Sequence, residues 1–199
     1  YWNEGKLNRE IIKDYAEQYY QHVKAFPRYI SATHSICEDI EKRRILLENL
    51  QDEENKDGDH PKLWKNFAKA LGADDKKIEN AKLDWFTKDM IDNFFAQARK
   101  SYAEGLASLY TYERQIPEIA ETKIQGLKKF YGVKSKEGLE FFEAHKSADI
   151  IHRAECEKLL DALSKEEQEK AETASLLTAR YLWNFLSGMT SKHRLKQAA

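Results

Sequence analysis

The stretch His145-Lys146-Ser147-Ala148-Asp149-Ile150-Ile151-His152 sets the reading of the whole chain. At ~100° per residue in an α-helix, Asp149 falls about 40° from His145 and His152 about 20° to its other side. A helix therefore projects all three from one narrow stripe. Asp149-x-x-His152 has the carboxylate-x-x-histidine spacing of di-metal helical bundles. His145 and His152 are about 10.5 Å apart along a straight helix, which suits two metals better than one. A polar stripe facing water is the plain alternative. The apolar neighbours Ala144, Ala148 and Ile151, preceded by Phe141 and Phe142, weigh against it.

Working outward, the other segments repeat the helical period. Asn8 can cap a helix carrying Ile11, Ile12, Tyr15, Tyr19 and Val23. Pro27 is expected to interrupt it, with a second helix running on to Cys37. Helices are also expected over 38–53, from Pro61 to a stop at Gly72, over 85–102, over 105–131 with a bend near Pro117, and over 136–163 as one or two pieces. Ser164 and Glu167 form a capping box for a last helix through Phe185, and the polar tail 192–199, which includes His193, is expected to fray. The run Asn55-Lys56-Asp57-Gly58-Asp59 reads as a loop.

With 8 Gly and 3 Pro in 199 residues, long helices are favoured over many short strands. The expectation is a single all-α domain, residues 1–199, of about seven or eight helices. Net charge is −1 and no basic run stands out, which argues against nucleic acid as a partner. No apolar stretch approaches the ~18 residues of a membrane span. Cys37 and Cys156 read as unpaired thiols of a reducing cytoplasm. The opening Tyr1-Trp2-Asn3-Glu4-Gly5 is not a signal peptide and reads as mid-sequence, so residues upstream are expected.

Further metal-binding side chains can be named, though less sharply. Glu53 and His60 flank the loop, yet Glu48, Asp52, Glu53 and Glu54 could equally be a solvated acidic end. Glu113 sits in an apolar-aromatic stretch with Leu109, Tyr110 and Tyr112, where a buried carboxylate needs a partner. Arg114 or another base is the bland partner and a metal the sharp one. Three carboxylates and three imidazoles suit Fe(II) or Mn(II), with zinc as a competitor. His22, His34 and His193 read as non-ligands.

Several stretches carry a family likeness. They are Tyr19-Tyr20-Gln21-His22-Val23-Lys24-Ala25-Phe26-Pro27-Arg28-Tyr29; Leu46-Leu47-Glu48-Asn49-Leu50 with Asp52-Glu53-Glu54-Asn55 and His60; Leu109-Tyr110 with Tyr112-Glu113 and Gln115-Ile116-Pro117; and His145/Asp149/His152. The chain resembles the CADD family, named for association with death domains, in the wider group that holds the pyrroloquinoline-quinone synthesis protein C and TenA. The resemblance implies a heme-oxygenase-like helical fold and a non-heme dinuclear site. It matches Glu53, His60, Glu113, His145, Asp149 and His152 to the family's metal ligands, with Fe(II) paired with Fe(II) or Mn(II) and O2 as co-substrate.

The resemblance further implies p-aminobenzoate formation for folate, with the protein's own tyrosine as carbon source and a lysine as nitrogen donor. By that match Lys123 is the amine. A phenol near such a site is the easiest group to oxidise, and Tyr15, Tyr19 and Tyr112 are the candidates; the tyrosine matching the sacrificed one is expected upstream of Tyr1. Without the resemblance, Lys123 reads as a solvated helix lysine and the tyrosines as core. The quinone-synthesis branch lacks this metal set, and TenA-type thiaminase chemistry needs a cysteine in its own motif, which Cys37 and Cys156 do not occupy. Alternatives are an oxidase of a small external substrate and a helical binding protein that engages death domains. A homodimer is the expected assembly.

Overall fold

The computed structural model describes residues 1–56 and 58–195, without the side chains of 147–149. Asp149, as a side chain, and residues 196–199 of the expected frayed tail thus lie outside the described residues, as does Asp57 of the loop.

Among the described residues there is no strand. A short 3-10 turn at Trp2–Glu4 precedes α1 (Arg9–Ser35), α2 (Ile40–Glu53), α3 (His60–Ala70), the five-residue α4 (Asp75–Glu79), α5 (Trp85–Lys100), α6 (Tyr102–Glu113), α7 (Ile116–Phe130), α8 (Lys136–Asp161) and α9 (Lys165–Lys192). Side-chain caps set most of the starts. Asn8 accepts from the Ile11 amide at 2.9 Å, Asp39 from Glu41 and Lys42, and Asp59 from Lys62. Ser164 and Glu167 form the full capping box of α9. Gly72 and Gly132, with φ of 85° and 70°, follow α3 and α7 in the left-handed conformation that glycine adopts at little cost.

Pro27 does not break the first helix, contrary to expectation. It lies buried inside a continuous α1. An interior proline costs about 3 kcal/mol. Phe26, Tyr29 and Ile30 beside it are each no more than 3% exposed, and each such burial is worth about 1.5–3 kcal/mol. Packing on both sides of the proline therefore holds the helix together. The expected bend near Pro117 becomes a true break: α6 ends at Glu113 and α7 begins at Ile116.

α1 is the central helix, packed by α2, α3, α4, α5 and α6, while α8 packs on α3, α6 and α7. The interior forms two main clusters. One joins Ile12, Ala16 and Val23 of α1 to Trp64 and Phe67 of α3, Leu127 of α7 and Phe141 and Phe142 of α8. The other joins Phe26, Tyr29 and Ile30 to Phe94 of α5, Leu106 and Tyr112 of α6 and Phe185 of α9. Tyr15 and Tyr19 pack against both, at the seam between them. The chain end is tied down rather than frayed at His193, which pairs with Asp14 at 2.7 Å. Cys37 and Cys156 are buried and not joined in a disulfide, as expected.

Candidate metal centre

Glu53 is the last residue of α2 and His60 the first of α3. The connecting loop folds the two ends together, and Glu53 Oε2 approaches His60 Nδ1 to 2.8 Å. His145, from the middle of α8, sets its ring 4.2 Å from that of His60, tilted by 46°. Ligand atoms of Glu53, His60 and His145 all lie within 4.8 Å of one another, and all three residues are buried. His145 Nδ1 stands 2.7 Å from the Phe141 carbonyl. A carbonyl can only accept, so Nδ1 carries the proton and the lone pair is on Nε2, the form in which an imidazole ligates a metal.

Burial alone would raise the carboxyl pKa of Glu53. The adjacent His60, with His145 and His152, outweighs it and holds the group below the ordinary carboxylate value. Three buried donors that favour a carboxylate beside two imidazoles fit a divalent metal of the first transition row.

His152 lies outside this trio, two turns further along α8. Its Nε2 meets Asp52 Oδ2 at 3.0 Å. Glu113, 1% exposed, accepts from Asn49 Nδ2 at 2.6 Å and from the Cys156 thiol at 3.7 Å. An amide and a thiol are thus among its partners, where Arg114 or another base was the plain expectation. Asn49, Asp52 and Cys156 were missed. Asn49, Asp52 and Glu53 are spaced i, i+3, i+4, one face of α2, and Cys156 continues the His145–Asp149–His152 stripe by one turn; that periodicity was the available signal.

The phenols and the lysine meet beside this cluster. Lys123 Nζ lies 3.8 Å from the Trp2 ring centroid and 4.8 Å from that of Tyr15. Burial among these rings lowers its amine pKa to about 8. Tyr15 stacks on Tyr19 at 5.4 Å. Burial pushes Tyr15 well up, and Tyr19 up to about 12 even though the Tyr112 side chain is hydrogen-bonded to it. A small cavity of about 30 Å³ is lined by Tyr15, Tyr19, Tyr112, Lys123 and His145, together with Trp64 and Phe141. About 10–15 Å³ suffices for one water. On the outer side, clefts of about 660 and 450 Å³ both reach Tyr15 and Lys123.

The sequence pattern of the iron-containing redox enzymes, a heme-oxygenase-like family, matches residues 13–183. The chain belongs to that family. It is 40% identical over 186 residues to the 4-aminobenzoate synthase of Chlamydia trachomatis, covering 93% of this chain and 80% of that one. It is 41% identical over 202 residues to the 4-aminobenzoate synthase of Nitrosomonas europaea, covering 94% and 81%. Among solved structures, a heme-oxygenase-like domain from Shewanella denitrificans superposes with a TM-score of 0.84 at 14% identity, over 99% of this chain and 84% of that one. A CADD-like protein from Nostoc punctiforme superposes with a TM-score of 0.78 at 17% identity, over 94% and 84%. These two likenesses show the fold; the family pattern and the synthases support an enzyme of CADD kind. Among the described residues no helix is long and apolar enough to cross a membrane.

Proposed function

We propose that this chain is a non-heme dinuclear-metal oxygenase that activates O2 and forms p-aminobenzoate from its own tyrosine and lysine side chains. The observation that carries the reading is the small cavity whose wall holds His145 of the metal cluster together with Tyr15, Tyr19, Tyr112 and Lys123. The name shared by relatives about 40% identical supports the product.

Glu53, His60 and His145 would hold one metal, and Glu113, Asp149 and His152 complete the ligand set for two. Fe(II) with Fe(II) or Mn(II), when bound, supplies electrons to O2 and thereby an oxidant strong enough to take a hydrogen atom from a phenol. The chain's own side chains govern the phenol protons and the amine. High phenol pKa values keep Tyr15 and Tyr19 protonated, so each gives up its proton with its electron rather than beforehand. The hydrogen bond between Tyr19 and Tyr112 provides a direct path for that proton. With its pKa at about 8, Lys123 is a free amine in roughly one molecule in ten at pH 7, against a few in ten thousand for an ordinary lysine. Trp2 closes over this amine by donating its indole N–H to the Thr122 carbonyl at 3.1 Å.

A second reading, oxidation of a small external substrate by the same metals, draws on the cleft of about 660 Å³ that opens onto Tyr15 and Lys123. Anaerobic reconstitution with Fe(II), alone and with Mn(II), followed by O2 exposure and mass spectrometry of protein and product, separates the two. Self-modification gives no more than one p-aminobenzoate per chain and an altered tyrosine or lysine mass. Many turnovers on an added substrate would replace it with the second reading, and failure to take up metal would remove both.

A further inference from the structure

A separate cleft of about 390 Å³ opens where the second half of α1 meets the ends of α2 and α5. Arg28, Ser31 and Ser35 line it from α1, Phe95 and Arg99 from α5, and Glu54 stands just beyond α2. It shares none of these residues with the cavities around Lys123.

The two arginines are arranged unusually. Their guanidinium carbons lie 4.8 Å and 4.7 Å from the centroid of one ring, Phe95. Two cations are thus held beside a single ring, where they repel each other. Several other surface cations here have carboxylate partners: Arg153 pairs with Glu118, Lys24 with Glu79 and Lys170 with Glu166. Among the described residues neither Arg28 nor Arg99 has an ion-pair partner or a hydrogen bond. Cation–π contact with Phe95 restrains each guanidinium before any ligand arrives, so less side-chain freedom is lost on binding. Ser31, one helical turn after Arg28, adds a hydroxyl to the same wall. Glu54 is the one carboxylate in the lining. It works against a plain anion and favours a ligand that also carries an amine.

We propose that this cleft binds a small amino-carboxylate, with its carboxylate across Arg28 and Arg99 and its amine on Glu54. The assignment rests on the chemistry of the cleft alone and does not depend on the reaction proposed above.

The test is calorimetric titration of the full chain with 4-aminobenzoate, benzoate and inorganic phosphate as probes, alongside two-dimensional NMR of the arginine Nε–H groups. Saturable 4-aminobenzoate binding that moves the Arg28 and Arg99 signals is expected, with benzoate at least fivefold weaker. Arg28→Ala and Arg99→Ala should each weaken binding at least tenfold, and Glu54→Gln should erase the preference over benzoate. Arg28→Lys and Arg99→Lys retain the charge and the fold but lose the fork, and should also bind more weakly. No saturable binding, or binding unchanged in the arginine variants, overturns the proposal and leaves the pair as a cover for Phe95. Phosphate binding more tightly than 4-aminobenzoate and indifferent to Glu54→Gln overturns it as well. Product formation is not the readout, so either result leaves the oxygenase reading to its own experiment.

Discussion

Glu53 Oε2 and His60 Nδ1 sit 2.8 Å apart, both side chains no more than 6% exposed, at the facing ends of α2 and α3. A carboxylate and an imidazole brought this close in the interior make a charge-dense point, and the ring of His145 lies tilted against that of His60. Replacing Glu53 with Gln keeps the volume and removes the anionic ligand. Fe(II) affinity of Glu53→Gln is expected to fall at least roughly tenfold, since even outer-shell changes at metal sites cost 10–100-fold. Elemental analysis after anaerobic loading measures it, and wild-type stoichiometry in the variant would remove Glu53 from the site.

Lys123 gives a prediction in pH. Its amine, with a pKa of about 8, gains its neutral form as pH rises through that value. If this amine supplies the product nitrogen, p-aminobenzoate formation should rise through pH 8, where half the amine is neutral, and level off about one unit above. Protein made with isotopically labelled lysine should release labelled p-aminobenzoate, and Lys123→Arg, which keeps the charge but offers no neutral amine, should release none. Unlabelled product would assign the nitrogen elsewhere.

His22 is fully buried among Tyr19, Phe26, Tyr29, Phe94 and Tyr112. Neither ring nitrogen has a hydrogen-bond partner among the described residues. Burial lowers its pKa from 6.5 to about 3. In this interval the unfolded chain binds a proton that the folded chain does not, so stability is full above pH 6.5 and declines as pH falls toward 3. The cost by pH 4 is about 3 kcal/mol. His22→Phe removes that proton site from both states. Its urea-unfolding free energy should therefore fall less steeply than wild type between pH 7 and 4, and parallel slopes would show that His22 is not the cause.

Glu79 acts at lower pH. Lys65, then Lys24 at 3.0 Å and the Tyr20 hydroxyl at 2.9 Å, bind its carboxylate and hold its pKa at about 2 against 4.5 unperturbed. A pKa lowered by folding adds stability above pH 4.5 that is lost as pH falls through 2. The group is about a third exposed, so solvent screening keeps the contribution small, about 1 kcal/mol or less. Glu79→Gln should melt slightly below wild type at pH 7 and converge with it near pH 2. A constant difference in Tm across that range would rule out the ionic contribution.

Much of the architecture is legible locally. The Ser164/Glu167 box, the Asn8 cap and the glycines after α3 and α7 are signals a few residues long, and each stands where its short-range physics places it. The same holds for the stripe of α8, because helical periodicity alone puts His145 and His152 on one side. By itself, then, the sequence determined most of the helical segments, the Asn8 and Ser164 caps, and which side chains of α8 share a face.

Tertiary structure decided the rest. Whether Pro27 breaks α1 depends on the apolar burial of Phe26, Tyr29 and Ile30, supplied largely by α5 and α6. Whether Glu53 is a solvated acid or a buried donor depends on His145, brought in from α8. Asn49 and Cys156 reach Glu113 from two other helices, and Lys123 meets Tyr15 only because α7 and α1 wall the same cavity. Each of these outcomes depends on burial and on groups distant along the chain, which determine whether a polar side chain is solvated or must find a partner inside.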